Sequence, residues 1–435
     1  HENQRYVKLA LIALFLGLLT ASLPTAAHAE IVSPAATQGF LAVGRDGMPY
    51  VASLSGRDVF LSRRNASGWV STPFGRAPGS GGVLSGLVVD GRGAAWALVE
   101  AENGSWLALA SAHRLRIVVR PGRGSSVGPA GLALDAAGRP AIAYAIRRSN
   151  AKTFLRLVRT DRAGKLRSSA ITQAGFPPSE LAPGAAPVVV RGRLHVVETY
   201  TAAAIDWQPR PRGGWIGQYL FASRLGSPAG AIGAAASGAV LWSAWTELSS
   251  DSISVLLTSS ASTQETSTVL EHGIFVSLVL ADGQPEIGAY DWLEIGDWRA
   301  YAGVIADQSD AVAELDGRLE GYVVAPGGHR QILIASDRGL EWFDAPTRPA
   351  ARVSLQADAS GQLTGSVLGA TAGVVQLFRE SPNTPRVAVA TVPLAADRTF
   401  AAHDVAQASP TLYRAVYLDA ATGIPYAALV RAPTG

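Results

Sequence analysis

The chain has 435 residues, of which 48% are hydrophobic and 16% are charged, and it contains no cysteine. This length and apolar content allow two or three domains with substantial cores. The lack of cysteine excludes disulfides, thiolate metal sites and thiol catalysis. The seven histidines never recur at metal-ligand spacing, so the sequence predicts neither a metal site nor a cofactor.

The first 29 residues have the form of a signal peptide. Arg5 and Lys8 supply positive charge, residues 9–19 form an apolar run, and Ala27-His28-Ala29 is a small-x-small cleavage site. The apolar run is shorter than the ~20 residues that span a bilayer. We therefore expect an exported protein, secreted or periplasmic, with no membrane insertion once this segment is cleaved.

Tight-turn signals that end in glycine recur through most of the chain, each between two short apolar runs. They are about 45 residues apart, except for one step of 54 residues. Glycine accepts positive φ without steric cost, so such sites favour hairpin turns. A repeat of about 40–50 residues made of several strands is typical of a β-propeller blade. The turn glycines are Gly47, Gly93, Gly138, Gly192, Gly238, Gly283 and Gly328.

The turns predict a seven-bladed β-propeller over residues 30–346, with four strands in each blade. The strands alternate poorly in polarity, which favours burial on both faces. The last repeat supplies only three strands, so we expect Ile31-Val32-Ser33 to provide the fourth and close the ring, because closure removes exposed sheet edges. A six-bladed ring is the alternative, with residues 319–343 packed as a separate hairpin.

Residues 347–435 follow a linker marked by Pro346 and Pro349 and have a different pattern. Seven strands in such a length are typical of an immunoglobulin-like or fibronectin-III-like β-sandwich. Tyr413 lies where such domains often carry a corner tyrosine, and the absence of a cysteine pair excludes the antibody subtype. The predicted strands are 353–357, 365–368, 374–378, 386–391, 399–403, 412–417 and 426–431.

Three short segments carry a resemblance to a known kind of propeller. Residues 132–144 read Leu-Ala-Leu-Asp-Ala-Ala-Gly-Arg-Pro-Ala-Ile-Ala-Tyr, a strand pair ends in Gly68-Trp69, and residues 336–342 match a degenerate Asp-box. In these segments the chain resembles the BNR and sialidase-like propellers of secreted bacterial proteins, which implies the propeller fold. The sialidase catalytic motifs are not found, since Arg116-Ile117 is followed by Val118 and not by proline.

Aromatic and acidic residues gather where the second strand of the fourth, fifth and sixth repeats ends. Equivalent positions in successive blades share one face of a propeller, so we expect these loops to form one patch. Flat aromatic faces with nearby carboxylates suit sugars. The predicted ligand-binding residues are Tyr200, Asp206, Trp207, Trp242, Trp245, Glu247, Tyr290, Asp291, Trp292, Glu294, Asp297 and Trp298.

The patch predicts a non-catalytic binding protein for an extracellular glycan or protein, and two alternatives concern the same residues. In the first, the tryptophans are wedges between blades and the acids solvate the loops. In the second, the protein is a glycoside hydrolase or lyase, with Glu247 and either Glu294 or Asp297 as its acid and base pair.

Charge is divided between the two halves of the predicted ring. Residues 31–224 hold 24 basic and 10 acidic side chains, whereas residues 225–346 hold 4 basic and 17 acidic ones. Such a field argues against nucleic-acid binding, since the acidic half would repel phosphate. It also leaves open a surface assembly protein that associates with itself through opposite charge arcs.

Overall fold

The computed structural model describes residues 30–432, so the predicted signal peptide lies outside the described residues. The predicted linker lies outside them as well, and of Tyr200, Trp292 and Trp298 only the backbone is described. The gaps in this range are residues 80, 113, 149–152, 162–163, 173–183, 201–202, 223–226, 250–252, 262–265, 272, 293–297, 305–310, 312, 346–350, 371, 381–385, 406–411 and 420–423.

The described residues form strands and no helix, so the all-β expectation is confirmed. A membrane-crossing helix, with the length and hydropathy that this needs, is not found among them. The strands of the repeat region are β1 Glu30–Ser33, β2 Gln38–Val43, β3 Pro49–Ser55, β4 Asp58–Asn65, β5 Gly68–Arg76, β6 Gly82–Val89, β7 Ala95–Ala101, β8 Leu107–Ser111, β9 Arg114–Val119, β10 Ser125–Val127, β11 Gly131–Leu134, β12 Pro140–Arg148, β13 Thr153–Thr160, β14 Leu166–Ala170, β15 Ala185–Val190, β16 Arg193–Tyr200, β17 Ala203–Pro209, β18 Trp215–Ala222, β19 Ser227–Ser237, β20 Val240–Leu248, β21 Ile253–Ser259, β22 Thr266–Glu271, β23 Gly273–Ala281, β24 Gln284–Trp292, β25 Trp298–Val304, β26 Ala313–Asp316, β27 Arg318–Val324, β28 Arg330–Ser336 and β29 Gly339–Ala345.

These strands pair into antiparallel units that follow one another along the chain. They are sheet 1 (β2–β5), sheet 2 (β6–β9), sheet 3 (β10–β14), sheet 4 (β15–β18), sheet 5 (β19–β22), sheet 6 (β23–β26) and sheet 7 (β27–β29 with β1). Their inner strands lie side by side in the order β2, β6, β11, β15, β19, β23 and β27, and β27 in turn lies against β2. In the described part of the chain, the sheets therefore form a closed, propeller-like cycle.

The predicted turn glycines are where the chain reverses within each sheet. All seven adopt positive φ, from 59° at Gly238 to 82° at Gly328. An L-residue with a Cβ rarely adopts this conformation, so the periodic glycines mark a real backbone requirement.

The cycle is closed by the strand that follows the predicted signal peptide. In β1, Glu30 pairs with Trp342 and Ile31 pairs with Glu341 of β29. The Glu30 carboxylate accepts hydrogen bonds from the Arg64 guanidinium of sheet 1, with Nε at 2.8 Å. The prediction that residues 31–33 supply the missing strand is therefore confirmed.

An apolar core lies between neighbouring sheets. Tyr50 and Val99 belong to the core between sheets 1 and 2, and Val197 and Trp245 belong to the core between sheets 4 and 5. The second strands of the sheets are buried on both faces, as nearly all of β3 illustrates. This double burial accounts for the poor alternation of polarity in the sequence.

The C-terminal region forms two further sheets, one of three strands and one of four. All seven predicted C-terminal strands are found, with shifts of a few residues at their ends. They are β30 Arg352–Ala357, β31 Gln362–Leu368, β32 Val374–Glu380, β33 Val387–Pro393, β34 Thr399–His403, β35 Leu412–Leu418 and β36 Pro425–Arg431.

The C-terminal strands are joined to sheet 6. Leu315 of β26 pairs with Tyr426 of β36, and one apolar core runs from sheets 6 and 7 into the C-terminal region. At this junction Arg414 is fully buried, and its guanidinium contacts Glu380 Oε1 at 2.5 Å and Asp316 Oδ1 at 2.7 Å. Arg386 also binds Asp316, so charged groups from both regions meet there.

Candidate functional site

The predicted loops leave three neighbouring sheets at the same end. The last residue pairs before them are Tyr200 with Ala203 in sheet 4, Leu248 with Ile253 in sheet 5, and Trp292 with Trp298 in sheet 6. Because strands alternate in direction, the ends of the second strands and the starts of the third strands all lie at one end of the cycle. Glu294 and Asp297 lie outside the described residues.

Two of the predicted tryptophans pack in or against the cores between sheets. Trp245 is 2% exposed and packs in the core between sheets 4 and 5. Trp242 lies near the start of β20, opposite Ser259, and packs against the core of sheets 5 and 6. Their places match the wedge interpretation, so neither belongs to the ligand contact set that we propose below.

The predicted aspartates are buried and paired. Asp206 accepts hydrogen bonds from His195 Nδ1 at 3.0 Å and from Gln208 Nε2 at 2.8 Å. Asp291 Oδ2 accepts hydrogen bonds from Arg299 Nη2 and from the Tyr301 hydroxyl, both at 2.8 Å. Asp291 Oδ1 has no hydrogen-bond partner among the described residues, but both carboxylates are shielded from solvent and are therefore poorly placed to accept a ligand's hydroxyl.

Trp207 is held inside sheet 4 by a buried carboxyl on the neighbouring strand β16. Its indole Nε1 donates to Glu198 Oε2 at 2.9 Å, and Glu198 is fully buried. The other oxygen, Glu198 Oε1, has no partner among the described residues. Burial raises the pKa of Glu198 to about 8, so this group is protonated at neutral pH.

The buried carboxyl predicts a pH-dependent stability. Folded Glu198 binds its proton more tightly than the unfolded chain does, so stability falls as pH rises from about 4.3 to the folded value of about 8. The side chain in Glu198→Gln is uncharged at every pH. We expect this variant to lose less stability than the unsubstituted protein as pH rises, by up to about 1.4 kcal/mol per pH unit. Thermal melts of both proteins between pH 5 and 8 measure the difference, and parallel profiles would contradict it.

Two predicted residues with described side chains lie near the loops and are partly exposed. Glu247 is the second-last residue of β20, and Tyr290 is the third-last residue of β24. The Tyr290 ring also packs against the core that runs from sheets 6 and 7. Burial raises the pKa of the Tyr290 hydroxyl, so the hydroxyl stays protonated and can donate a hydrogen bond. The structure thus brings these two residues, with the backbone of Tyr200, Trp292 and Trp298, to one end of the cycle.

At the opposite end, two adjoining cavities were missed by the sequence reasoning. The first, the arginine cavity, measures about 580 Å³ between sheets 2 and 3, and the second, the apolar cavity, measures about 1020 Å³ between sheets 1 and 2. Trp96 and Ser111 line both. One sequence signal could have found the first cavity, because Arg45, Arg92 and Arg139 accompany the turn glycine in three successive repeats.

Among the described residues, no group of three or more histidine, cysteine, aspartate or glutamate side chains is placed to hold a metal ion.

Comparison with known proteins adds little to the geometry. No protein-family model matches the sequence, and no curated protein matches it. Among solved structures, a puromycin hydrolase aligns with a TM-score of 0.42 at 13% identity, covering 72% of this chain and 52% of that one. This chain therefore spans about half the length of that hydrolase. An ulvan lyase, a polysaccharide lyase, aligns at 0.40 and 8% identity, covering 71% of this chain and 79% of that one.

Both TM-scores lie below 0.5, so neither likeness carries an argument about this chain's activity. The resemblance to BNR and sialidase-like propellers gains no support from these matches and stays a prediction.

Proposed function

We propose that the protein is an exported, non-catalytic binding protein for an extracellular glycan or protein. Its contact surface is formed by the loops that follow β16, β20 and β24. In this proposal the seven sheets are the blades of a seven-bladed propeller over residues 30–346, and residues 347–435 are an immunoglobulin-like sandwich.

The convergence of the three loops is the observation that carries the proposal. Their parent strands belong to neighbouring sheets and end in Tyr200, Leu248 and Trp292. Tyr200 ends β16, and Trp292 and Trp298 stand on the two sides of the β24–β25 loop. Aromatic residues are a type that suits the flat face of a sugar ring. Glu247 is a partly exposed residue whose Oε2 atom is buried, and in this proposal its carboxylate accepts a hydrogen bond from a ligand hydroxyl.

Two observations support the proposed sandwich. Its seven strands divide into a three-stranded and a four-stranded sheet, the division expected of the constant-type or fibronectin-III-like fold. The Tyr413 side chain is buried, and its hydroxyl donates to Asp404 Oδ2 at 3.0 Å, close to the place of a corner tyrosine.

The test is a glycan array probed with the mature protein and with Tyr200→Ala and Trp292→Ala. We expect each substitution to weaken binding of the selected glycan by about tenfold or more, because aromatic contacts dominate such surfaces. Titration calorimetry with that glycan gives the affinities.

Tyr219→Ala is the matched control, since Tyr219 is a 67% exposed tyrosine on β18 of the same sheet as Tyr200. Equal loss in the control, or binding unaffected by both test substitutions, would contradict the proposed surface. Release of shortened glycan that stops in Glu294→Gln would replace binding by the hydrolase or lyase alternative.

A further inference from the structure

A second site is suggested by the arginine cavity, which lies away from the proposed loops. Four arginines and one aspartate line it, so its wall is strongly basic. The turns that contribute residues join first to second strands and third to fourth strands. They therefore lie at the end of the cycle opposite to the β16–β17, β20–β21 and β24–β25 loops. The charged lining residues are Arg45, Arg92, Arg116, Arg139 and Asp90.

Only one of these arginines is neutralised within the described structure. Arg139 makes a bidentate contact with Asp135, with Nη2 at 2.8 Å and Nε at 3.1 Å from Oδ2. Arg45, Arg92 and Arg116 are exposed, and the described residues give them no ion pair or hydrogen-bonded side-chain partner. Three arginines from sheets 1 and 2 thus line the arginine cavity.

The turns that carry two of the arginines are held in shape by aspartates. Asp90 Oδ1 accepts backbone hydrogen bonds from Arg92 at 2.8 Å and from Ala94 at 2.9 Å. Asp135 Oδ1 accepts the backbone N–H of Arg139 at 2.9 Å in the equivalent turn of sheet 3. Because the backbone of these two turns is fixed before any ligand arrives, the turns themselves lose little conformational freedom on binding.

The remaining lining suits a ligand larger than a bare ion. The volume of about 580 Å³ lies within the range of small-molecule sites. Trp96 forms part of the wall shared with the apolar cavity, and Ser111 and Thr160 place hydroxyl groups on the lining. An aromatic wall, two hydroxyls and three arginines can contact a sugar ring, its hydroxyls and an attached acidic group.

We propose that the arginine cavity binds an acidic saccharide, with Arg45, Arg92 and Arg116 holding its carboxylate or sulfate group. Arginine matches the planar geometry of these anions and pairs with them through two parallel hydrogen bonds. The site is separate from the loop surface of the proposed function and stands without it.

The experiment is titration calorimetry of the mature protein with three tetrasaccharides. Hyaluronan fragments carry carboxylates, heparin fragments carry sulfates as well, and cellotetraose carries neither. We expect at least one acidic tetrasaccharide to bind and cellotetraose not to bind here. Arg92→Gln with Arg116→Gln should weaken acidic binding by about a hundredfold, from about tenfold for each lost charge-assisted contact.

Arg120→Gln with Arg123→Gln is the matched control. Both residues are exposed, follow β9 toward the other end of sheet 2, and are absent from the cavity lining. The control pair changes net charge by the same amount and should leave affinity within about threefold. An equal loss of affinity in both double variants would show that binding depends on the overall positive charge and not on the cavity, which would contradict the proposal. Failure of both acidic tetrasaccharides to bind would also overturn it. Tyr200→Ala should leave this binding unchanged, which separates the two sites.

Discussion

Replacement of Arg414 by alanine is expected to lower the free energy of unfolding by about 3–5 kcal/mol, the cost of removing the buried partner from an ion network. The Arg414 side chain is fully buried and bridges Glu380, on the C-terminal strand β32, with Asp316, the last residue of β26 in sheet 6. Its removal leaves Arg386 to contact both carboxylates, so that two negative charges share one guanidinium at the junction. Chemical denaturation of the purified variant measures the loss.

Arg431→Ala is the control for this substitution. Arg431 is exposed on β36, pairs with Leu412 of β35, and loses only surface contacts when it is truncated. We expect a change within about 0.5 kcal/mol, as for ordinary surface substitutions. A second unfolding transition in Arg414→Ala would show that the junction couples the two regions. An unchanged midpoint would instead contradict the role given to this ion network.

Replacement of Gly339 by alanine is expected to open the cycle of sheets at its closing strand. Gly339 has a φ of 106°, and a Cβ there would clash with the carbonyl oxygen of Ser33 and come within 2.7 Å of Pro34 Cα. The clash falls on backbone, which cannot rotate away, so β1 has to shift from β29. We expect a loss of about 3 kcal/mol or more, from overpacking together with backbone strain.

Gly328→Ala separates these two causes. Gly328 has a φ of 82°, but a Cβ at this turn meets no atom within 4 Å. Its substitution should cost about 1–2 kcal/mol from strain alone. Hydrogen exchange of the β1 and β29 amides reports on closure directly. If both variants lose the same stability and keep β1 protected, the proposed clash is absent.

The sequence was sufficient for the strands because their signals are local. Each turn needs positive φ, which only glycine supplies cheaply, so Gly47 and its six counterparts mark the repeats on their own. The shortage of one strand in the last repeat could be counted, and that count predicted β1. The seven C-terminal strands alternate in polarity, so they too could be placed to within a few residues.

The site could not be predicted to the same degree, because the second strands of the sheets are buried on both faces. Their sequences therefore lack the alternation of polar and apolar residues that separates exposed positions from buried ones. Trp245 and Tyr290 occupy similar strands and have similar neighbours in sequence, yet the first is in a core and the second is partly exposed. The arginine cavity depends on side chains from separate sheets. Arg45 and Arg116 are brought together only when the sheets curve into a cycle.

The pairing of Glu30 with Trp342 also sets an order of events in folding. These partners stand at the two ends of the ring-forming chain, so their contact has the largest loop to close. The nascent chain must hold β1 unpaired until β29 has been synthesised, and contacts of this separation form slowly. We therefore expect sheet 7 to be completed last, because its strand β1 is synthesised first and its partner strand β29 is synthesised last.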